Sequence, residues 1–129
     1  MYTIEIDELD DGRNTTWTAE IFAGKKRVGW VEARRYEDEA FTVANMEHSW
    51  LDDEHQGKGL GMEAYELLFA RLKECGIKTI AGLTHSSSAA RVHQRLAFKY
   101  GYEYPYLHDD ASGGHPYDET FGPYRYALK

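Results

Sequence analysis

With 129 residues, of which 42% are hydrophobic and 29% charged, the sequence predicts one domain with a real core and excludes a disordered chain. No apolar run reaches membrane-span length, and the start, Met1-Tyr2-Thr3-Ile4-Glu5, lacks the basic-then-apolar order of a signal peptide. A formal net charge of −7 argues against nucleic acid as the partner; it favours a cationic one (a lysine-rich peptide, a polyamine, an amino sugar) or serves solubility alone.

Tyr2, Ile4 and Ile6 alternate and predict a short first strand. Asp7 to Thr15 is polar and turn-rich. Thr16 to Phe22 predicts a strand with Trp17, Ala19 and Ile21 on one face, and Gly24-Lys25-Lys26 a hairpin. Val28 to Tyr36 predicts the returning strand, Glu37-Asp38-Glu39 a turn, and Phe41 to Leu51 a long fourth strand. Short connections between successive strands make this part an antiparallel sheet.

The period then changes. Met62, Tyr65, Leu68, Phe69 and Leu72 recur at helical spacing between Gly59 and Cys75, and Gly76 suits the residue just past the helix. Ile77 to Leu83 predicts a short strand. Thr84-His85-Ser86-Ser87-Ser88 offers caps for a second helix, about Ser87 to Tyr100. Tyr102 to Leu107 and Pro123 to Leu128 predict closing strands around a Gly-, Asp- and Pro-rich loop, Asp109 to Gly122. The order predicts a mixed α/β sheet in which the strand–helix–strand unit is a parallel crossover.

Gly57, Gly59 and Gly61 stand between a strand and a helix. Without Cβ atoms there, backbone N–H groups at the positive end of the helix can approach an anion closely, which is the chemistry of a phosphate site. A Walker A loop needs Gly-Lys-Ser/Thr, and this run ends Gly59-Leu60-Gly61-Met62. Gly59 to Ala64 satisfies the dinucleotide pattern but follows Asp52-Asp53-Glu54-His55 and antiparallel strands, not a first buried parallel strand.

Leu51-Asp52-Asp53-Glu54-His55-Gln56-Gly57-Lys58-Gly59-Leu60-Gly61 resembles the coenzyme A motif of the GNAT N-acetyltransferase superfamily, and Ser86 to Phe98 resembles its second motif. Thr16 to Tyr102 carries the likeness. The resemblance implies a GNAT-like, largely antiparallel mixed sheet splayed between its fourth and fifth strands, two main helices, and one acyltransferase domain over residues 1–129. It implies acetyl-CoA as co-substrate and no metal. Backbone groups of Ser49, Trp50 and Leu51 would align the pantetheine and polarise the thioester. Gln56, Gly57, Lys58, Gly59, Leu60, Gly61 and Met62 form the pyrophosphate loop, and Ser86 stands where the family's Asn contacts the pantetheine.

Three departures accompany the likeness. His93 replaces the Tyr that protonates the leaving thiolate, a task an imidazolium of near-neutral pKa can perform; Tyr100 and Tyr102 are alternatives. Only Asp7 to Thr15 lies where the family has two helices that wall the acceptor site, so the N-terminal helical region is shortened and the site open, or closed by the 109–122 loop or a homodimer partner. Ala97 stands at the usual Gly of the second helix's ending.

On a regular fourth strand Asn45, Glu47, Ser49 and Leu51 share a face, which puts Glu47 on the face ending at the thioester; the family often carries its base on this strand. His48 points away unless a bulge intervenes. Ala81 stands where N-terminal-alanine acetyltransferases carry a catalytic Glu, so that mechanism is not expected. Cys75, the only cysteine, excludes an internal disulfide, fits a reducing cytoplasm, and has no local His to make it a nucleophile. No metal-binding spacing occurs among the six histidines. Tyrosines crowding the last third suit packing, an acceptor pocket or a dimer surface. The sequence therefore points to transfer of an acetyl group from acetyl-CoA to an amine, on a protein lysine or other cationic acceptor, with Glu47 as base and His93 as acid. The rival is a GNAT-like module that binds CoA or a protein without catalysis.

Overall fold

The computed structural model describes residues 1–83, 92–93, 95–96, 99 and 123–128. Six strands form one sheet in chain order: β1 (Tyr2–Asp10), β2 (Thr15–Ala23), β3 (Lys26–Arg35), β4 (Val43–Leu51), β5 (Thr79–Leu83) and β6 (Pro123–Ala127). Every pairing is antiparallel except β4 with β5. The crossover between those two carries α1 (Leu60–Glu74), preceded by a single 3-10 turn, Asp53–His55. The expected mixed sheet is therefore present, with its one parallel pair where the strand–helix–strand pattern placed it.

Strand alternation decides which face is buried. Trp17, Ala19 and Ile21 on β2 and Val31 and Ala33 on β3 point to one side, and each is at most 2% exposed. Leu60, Ala64, Tyr65, Leu68, Phe69 and Leu72 form the helical stripe of α1 that covers them. Ile77, Ile80, Leu96 and Leu128 complete this core. Buried Trp17 keeps its indole N–H paired by donating to Glu8 Oε1 at 2.8 Å.

Turns are set by local chemistry. Gly24 takes φ 63° at the first position of the two-residue turn joining Ala23 to Lys26. α1 stops at Gly76, φ 87°, whose N–H donates to Lys73 O while Ile77 N–H donates to Leu72 O, the double bond of a Schellman end.

Several strand boundaries differ from expectation, β3 beginning at Lys26 and β5 at Thr79 among them. β1 runs to Asp10, leaving only residues 11–14 as the turn, because the pairing with β2 continues through Glu8 against Trp17 and Asp10 against Thr15. Phe41 precedes β4 and is 68% exposed. Val92, His93, Arg95, Leu96 and Lys99 are helical, and Lys99 pairs with Glu66 of α1 at 2.7 Å. That places this helical stretch on the α1 side of the sheet. The rest of the expected second helix and the Tyr102 to Leu107 strand lie outside the described residues. Among the described residues, no helix is long and apolar enough to cross a membrane.

Candidate functional site

β4 pairs with β5 only from Val43↔Thr79 to Met46↔Gly82. Among the described residues its second half, Glu47–Leu51, has a ladder on the β3 side alone, where Ser49, Trp50 and Leu51 oppose Val31, Trp30 and Gly29. Among the described residues, the β5 pairing thus stops at Met46, before β4 leads into the glycine loop. β3 approaches this end closely. A Cβ on Gly29 would stand 2.6 Å from the Trp50 carbonyl oxygen and 2.9 Å from Leu51 Cδ1, so only glycine fits.

The loop is folded back by one side chain. Gln56 Nε2 donates to Leu51 O at 2.9 Å and to Asp53 Oδ1 at 3.1 Å. Asp52 N–H donates to Val28 O at 2.8 Å, which carries the β3 pairing past Leu51. Gly57 (φ 78°) and Gly59 (φ 79°) occupy the left-handed region, and Gly59 is the N-cap of α1. No side chain caps the helix, and the first intrahelical bond is Glu63 N–H to Gly59 O at 3.1 Å. The N–H groups of Leu60, Gly61 and Met62 precede it and have no intrahelical acceptor.

Gly61 is different in kind from its neighbours. Its φ is not positive, and a Cβ built on it meets nothing within 4 Å. Backbone conformation demands glycine at 57 and 59; at 61 the fold would accept alanine. What the missing side chain does leave is open space in the first turn of a helix whose N–H donors no side chain caps, which suits a diphosphate that must come close.

Glu47 is placed by a bulge. The β3–β4 register shifts between Val31↔Ser49 and Ala33↔Met46, so β4 carries one more residue than β3 across this interval. Met46 and Ser49 consequently both face α1, while Asn45 and Glu47 face the other way. This corrects the regular-strand expectation that Glu47 shares a face with Ser49 and Leu51; the extra residue at Glu47–His48 reverses the alternation. Glu47 sits on the sheet face away from α1, where the Tyr36 hydroxyl donates to its Oε1 and Arg34 Nη1 lies 3.8 Å from the same oxygen. That hydrogen bond, followed by burial, holds the Tyr36 phenol above its ordinary pKa.

On the α1 side, Ser49 is exposed, and its side chain favours the ionised form of the Tyr65 phenol. Burial pushes the Tyr65 phenol up. Tyr65 packs edge-on against His93, with ring centroids 5.1 Å apart. His93 is 3% exposed, and burial pushes its pKa down to about 3. Burial thus favours the neutral imidazole over the imidazolium expected from the sequence.

Of the residues singled out from sequence, Ser49, Trp50, Leu51 and Gln56 to Met62 come together at one end of the sheet. Glu47 lies on the face across from His93. Ser86, Tyr100 and Tyr102 lie outside the described residues. Tyr36, Arg34, Tyr65 and Gly29 were not singled out; Gly29 in a strand was the one legible signal, since an isolated strand glycine marks close backbone approach. Asp52, Glu54 and His55 hold ligand atoms within 4.8 Å of one another, yet His55 Nδ1 is engaged by the Tyr2 hydroxyl at 2.7 Å. The Cys75 thiol is pushed up by burial, away from the reactive thiolate.

Comparison with known proteins agrees with this geometry. The family model described as Acetyltransferase (GNAT) family matches residues 1–98. Among curated proteins no sequence matches. An acetyltransferase from Thermus thermophilus is 26% identical with a TM-score of 0.62 over 92% of this chain, which spans 66% of that protein's length. The ribosomal-protein-S18-alanine N-acetyltransferase of Escherichia coli superposes with a TM-score of 0.66 at 14% identity, covering 99% of this chain and 94% of its own. A GNAT acetyltransferase from Elizabethkingia anophelis with acetyl-CoA bound gives 0.60 at 13% identity, covering 97% and 98%. The last two likenesses concern the fold.

Proposed function

The chain belongs to the GNAT acetyltransferase family, and on that premise we propose that it is an N-acetyltransferase that moves the acetyl group of acetyl-CoA onto the amine of a cationic acceptor. The observation that carries the proposal is Gly61. The fold does not require glycine there, and a diphosphate lying across the N–H groups of Gly57 to Met62 does. The stretch of β4 beyond its described pairing with β5 would take the pantetheine arm, along the backbone of Ser49, Trp50 and Leu51. The acetyl-CoA held by the Elizabethkingia relative supports the choice of ligand.

In the proposed reaction the neutral amine attacks the thioester carbonyl, the N–C bond forms, the C–S bond breaks, and CoA leaves as thiolate. Glu47 takes the proton lost from the amine, directly or through water. Tyr36 and Arg34 orient its carboxylate through Oε1. Backbone N–H near Leu51 faces the developing oxyanion. By the family resemblance, Ser86 would join the pantetheine contacts. His93, neutral at working pH, enters as a positioning residue behind Tyr65 and Ser49, and the thiolate then draws its proton from solvent.

The buried, uncharged His93 also favours the second reading, a module that binds CoA or a protein without turnover. The two separate in one assay: CoA-thiol release with a panel of peptides, polyamines and amino sugars, run beside acetyl-CoA binding by calorimetry. Turnover that falls in Glu47→Gln with binding intact supports the enzyme. Binding with no turnover on any amine supports the module. Retention of CoA binding by the Gly59→Asp/Gly61→Asp double variant sinks the site itself.

A further inference from the structure

The face of the sheet turned away from α1 has no helix over β1, β2 or β3 among the described residues, and none of its side chains there is buried. Strand register arranges that face in rows. Glu5, Glu20, Trp30 and Trp50 fall in one line across β1 to β4, since Glu5 opposes Glu20, Glu20 opposes Trp30, and Trp30 opposes Trp50. The neighbouring row holds Asp7, Thr18 and Glu32, and Glu47 lies beyond Glu32 at the bulge. Trp30 and Trp50 stack with centroids 5.2 Å apart, and Trp50 is 48% exposed.

The charges on this band do not balance. Arg27 pairs with Glu20 at 3.0 Å, and Arg34 lies 3.7 Å from Glu32 and 3.8 Å from Glu47. Among the described residues, two guanidiniums thus face the five carboxylates of Glu5, Asp7, Glu20, Glu32 and Glu47. Glu5 and Glu20 stand directly opposite each other, an arrangement of like charges that destabilises a sheet. The Asp7 carboxylate beside Glu20, followed by burial, holds the Glu20 carboxyl above the usual range. A cation laid along the row would relieve this repulsion, and a second copy of an acidic chain would aggravate it.

We propose that this sheet face is the docking surface for a basic protein segment, which lies across the strands with its acceptor lysine at the Trp50–Glu47 end and a second Lys or Arg over Glu5, Asp7 and Glu20. The proposal rests on the acetyltransferase reading for the lysine's fate, but not for the docking. It sets a spacing. Three inter-strand steps of about 4.8 Å separate β1 from β4, about 14 Å in all, and an extended chain covers that in about four residues. The basic residue therefore lies about four positions from the acceptor lysine.

The test uses fluorescein-labelled glycine–serine peptides with a lysine and an arginine spaced two, four or eight residues apart, and an arginine-free control. Binding is read by anisotropy, and acetylation by thiol release, with N-acetyl-lysine methylamide as the short acceptor. The Glu5→Lys/Asp7→Lys variant changes two exposed residues outside the acetyl-transfer machinery. Expected are tightest binding at a spacing of four, at least tenfold weaker binding in the variant, and a matching rise in KM for that peptide, with kcat, acetyl-CoA binding and the short acceptor's KM unchanged. Equal affinity for all peptides, or no loss in the variant, overturns the docking surface. Acetylation of spermidine with no peptide binding overturns it too, while leaving the acetyltransferase reading intact. Peptide binding with the expected spacing but no turnover supports the docking surface and sinks the enzyme reading instead.

Discussion

Glu47 and His93 were both nameable from sequence, but their surroundings were not. Glu47's face depends on one extra residue in β4, and a strand sequence does not announce where a bulge falls. Tyr36 could not be linked to Glu47 without the β3–β4 register. Glu47→Gln is expected to lower kcat by about a hundredfold or more, the range for a positioned general base, with acetyl-CoA affinity unchanged. Steady-state kinetics beside calorimetry checks it, and an unchanged kcat removes Glu47 from the mechanism. For His93 the expectation concerns stability. Its folded pKa of about 3 lies below the ordinary value of 6.5, so as pH falls the unfolded chain takes up a proton that the native chain refuses. The stability this group contributes is present above pH 6.5 and is lost as pH falls towards 3, at no more than about 1.4 kcal/mol per pH unit. Urea melts between pH 7 and 4 should show that slope in the wild type and lose it in His93→Phe; equal slopes would place the histidine in a solvated setting.

At the scale of elements, the glycine-to-helix junction was the most legible feature, because alternating glycines before a 3.6-residue repeat admit few structures. The three glycines nevertheless do two kinds of work, Gly57 and Gly59 one and Gly61 the other. Gly59→Ala forces a side chain into φ 79° and is expected to cost about 1–2 kcal/mol. Gly61→Ala meets nothing and adds a better helix former, so the fold should gain up to about 1 kcal/mol while acetyl-CoA binding weakens. Thermal melts with and without acetyl-CoA separate the two: a stabilised Gly61→Ala protein that still gains the full ligand-induced rise in Tm would mean that no phosphate approaches residue 61. Gly29→Ala drives a Cβ to 2.6 Å from Trp50 O and should cost about 1–3 kcal/mol through the displaced strand. The length of β1 was underestimated for a related reason. Asp7 to Asp10 look like turn residues, yet pairing with β2 satisfies their backbone groups and overrides local propensity.

For the molecule as a whole, periodicity sufficed for the mixed sheet, its parallel crossover and the helix that covers one face. It did not reveal that Glu5, Glu20, Trp30 and Trp50 form one row, because residues on four strands become neighbours only through register. The net charge of −7 read as either solubility or a cationic partner; the concentration of carboxylates on the face that no described helix covers argues for the partner. Acetylation of basic peptides should therefore slow with added salt through KM, whereas that of a neutral short amine should not. The central claim is that one site joins acetyl-CoA at the glycine loop to transfer onto an amine beside Glu47. Its most direct test is to incubate the protein with acetyl-CoA and a lysine peptide and to count CoA thiol released against acetylated peptide by mass. The account predicts one acetylated amine per thiol released in the wild type and neither product from the Gly59→Asp/Gly61→Asp variant. Tight acetyl-CoA binding with no acetylated product from any amine, or product formation that survives the glycine substitutions, would contradict it.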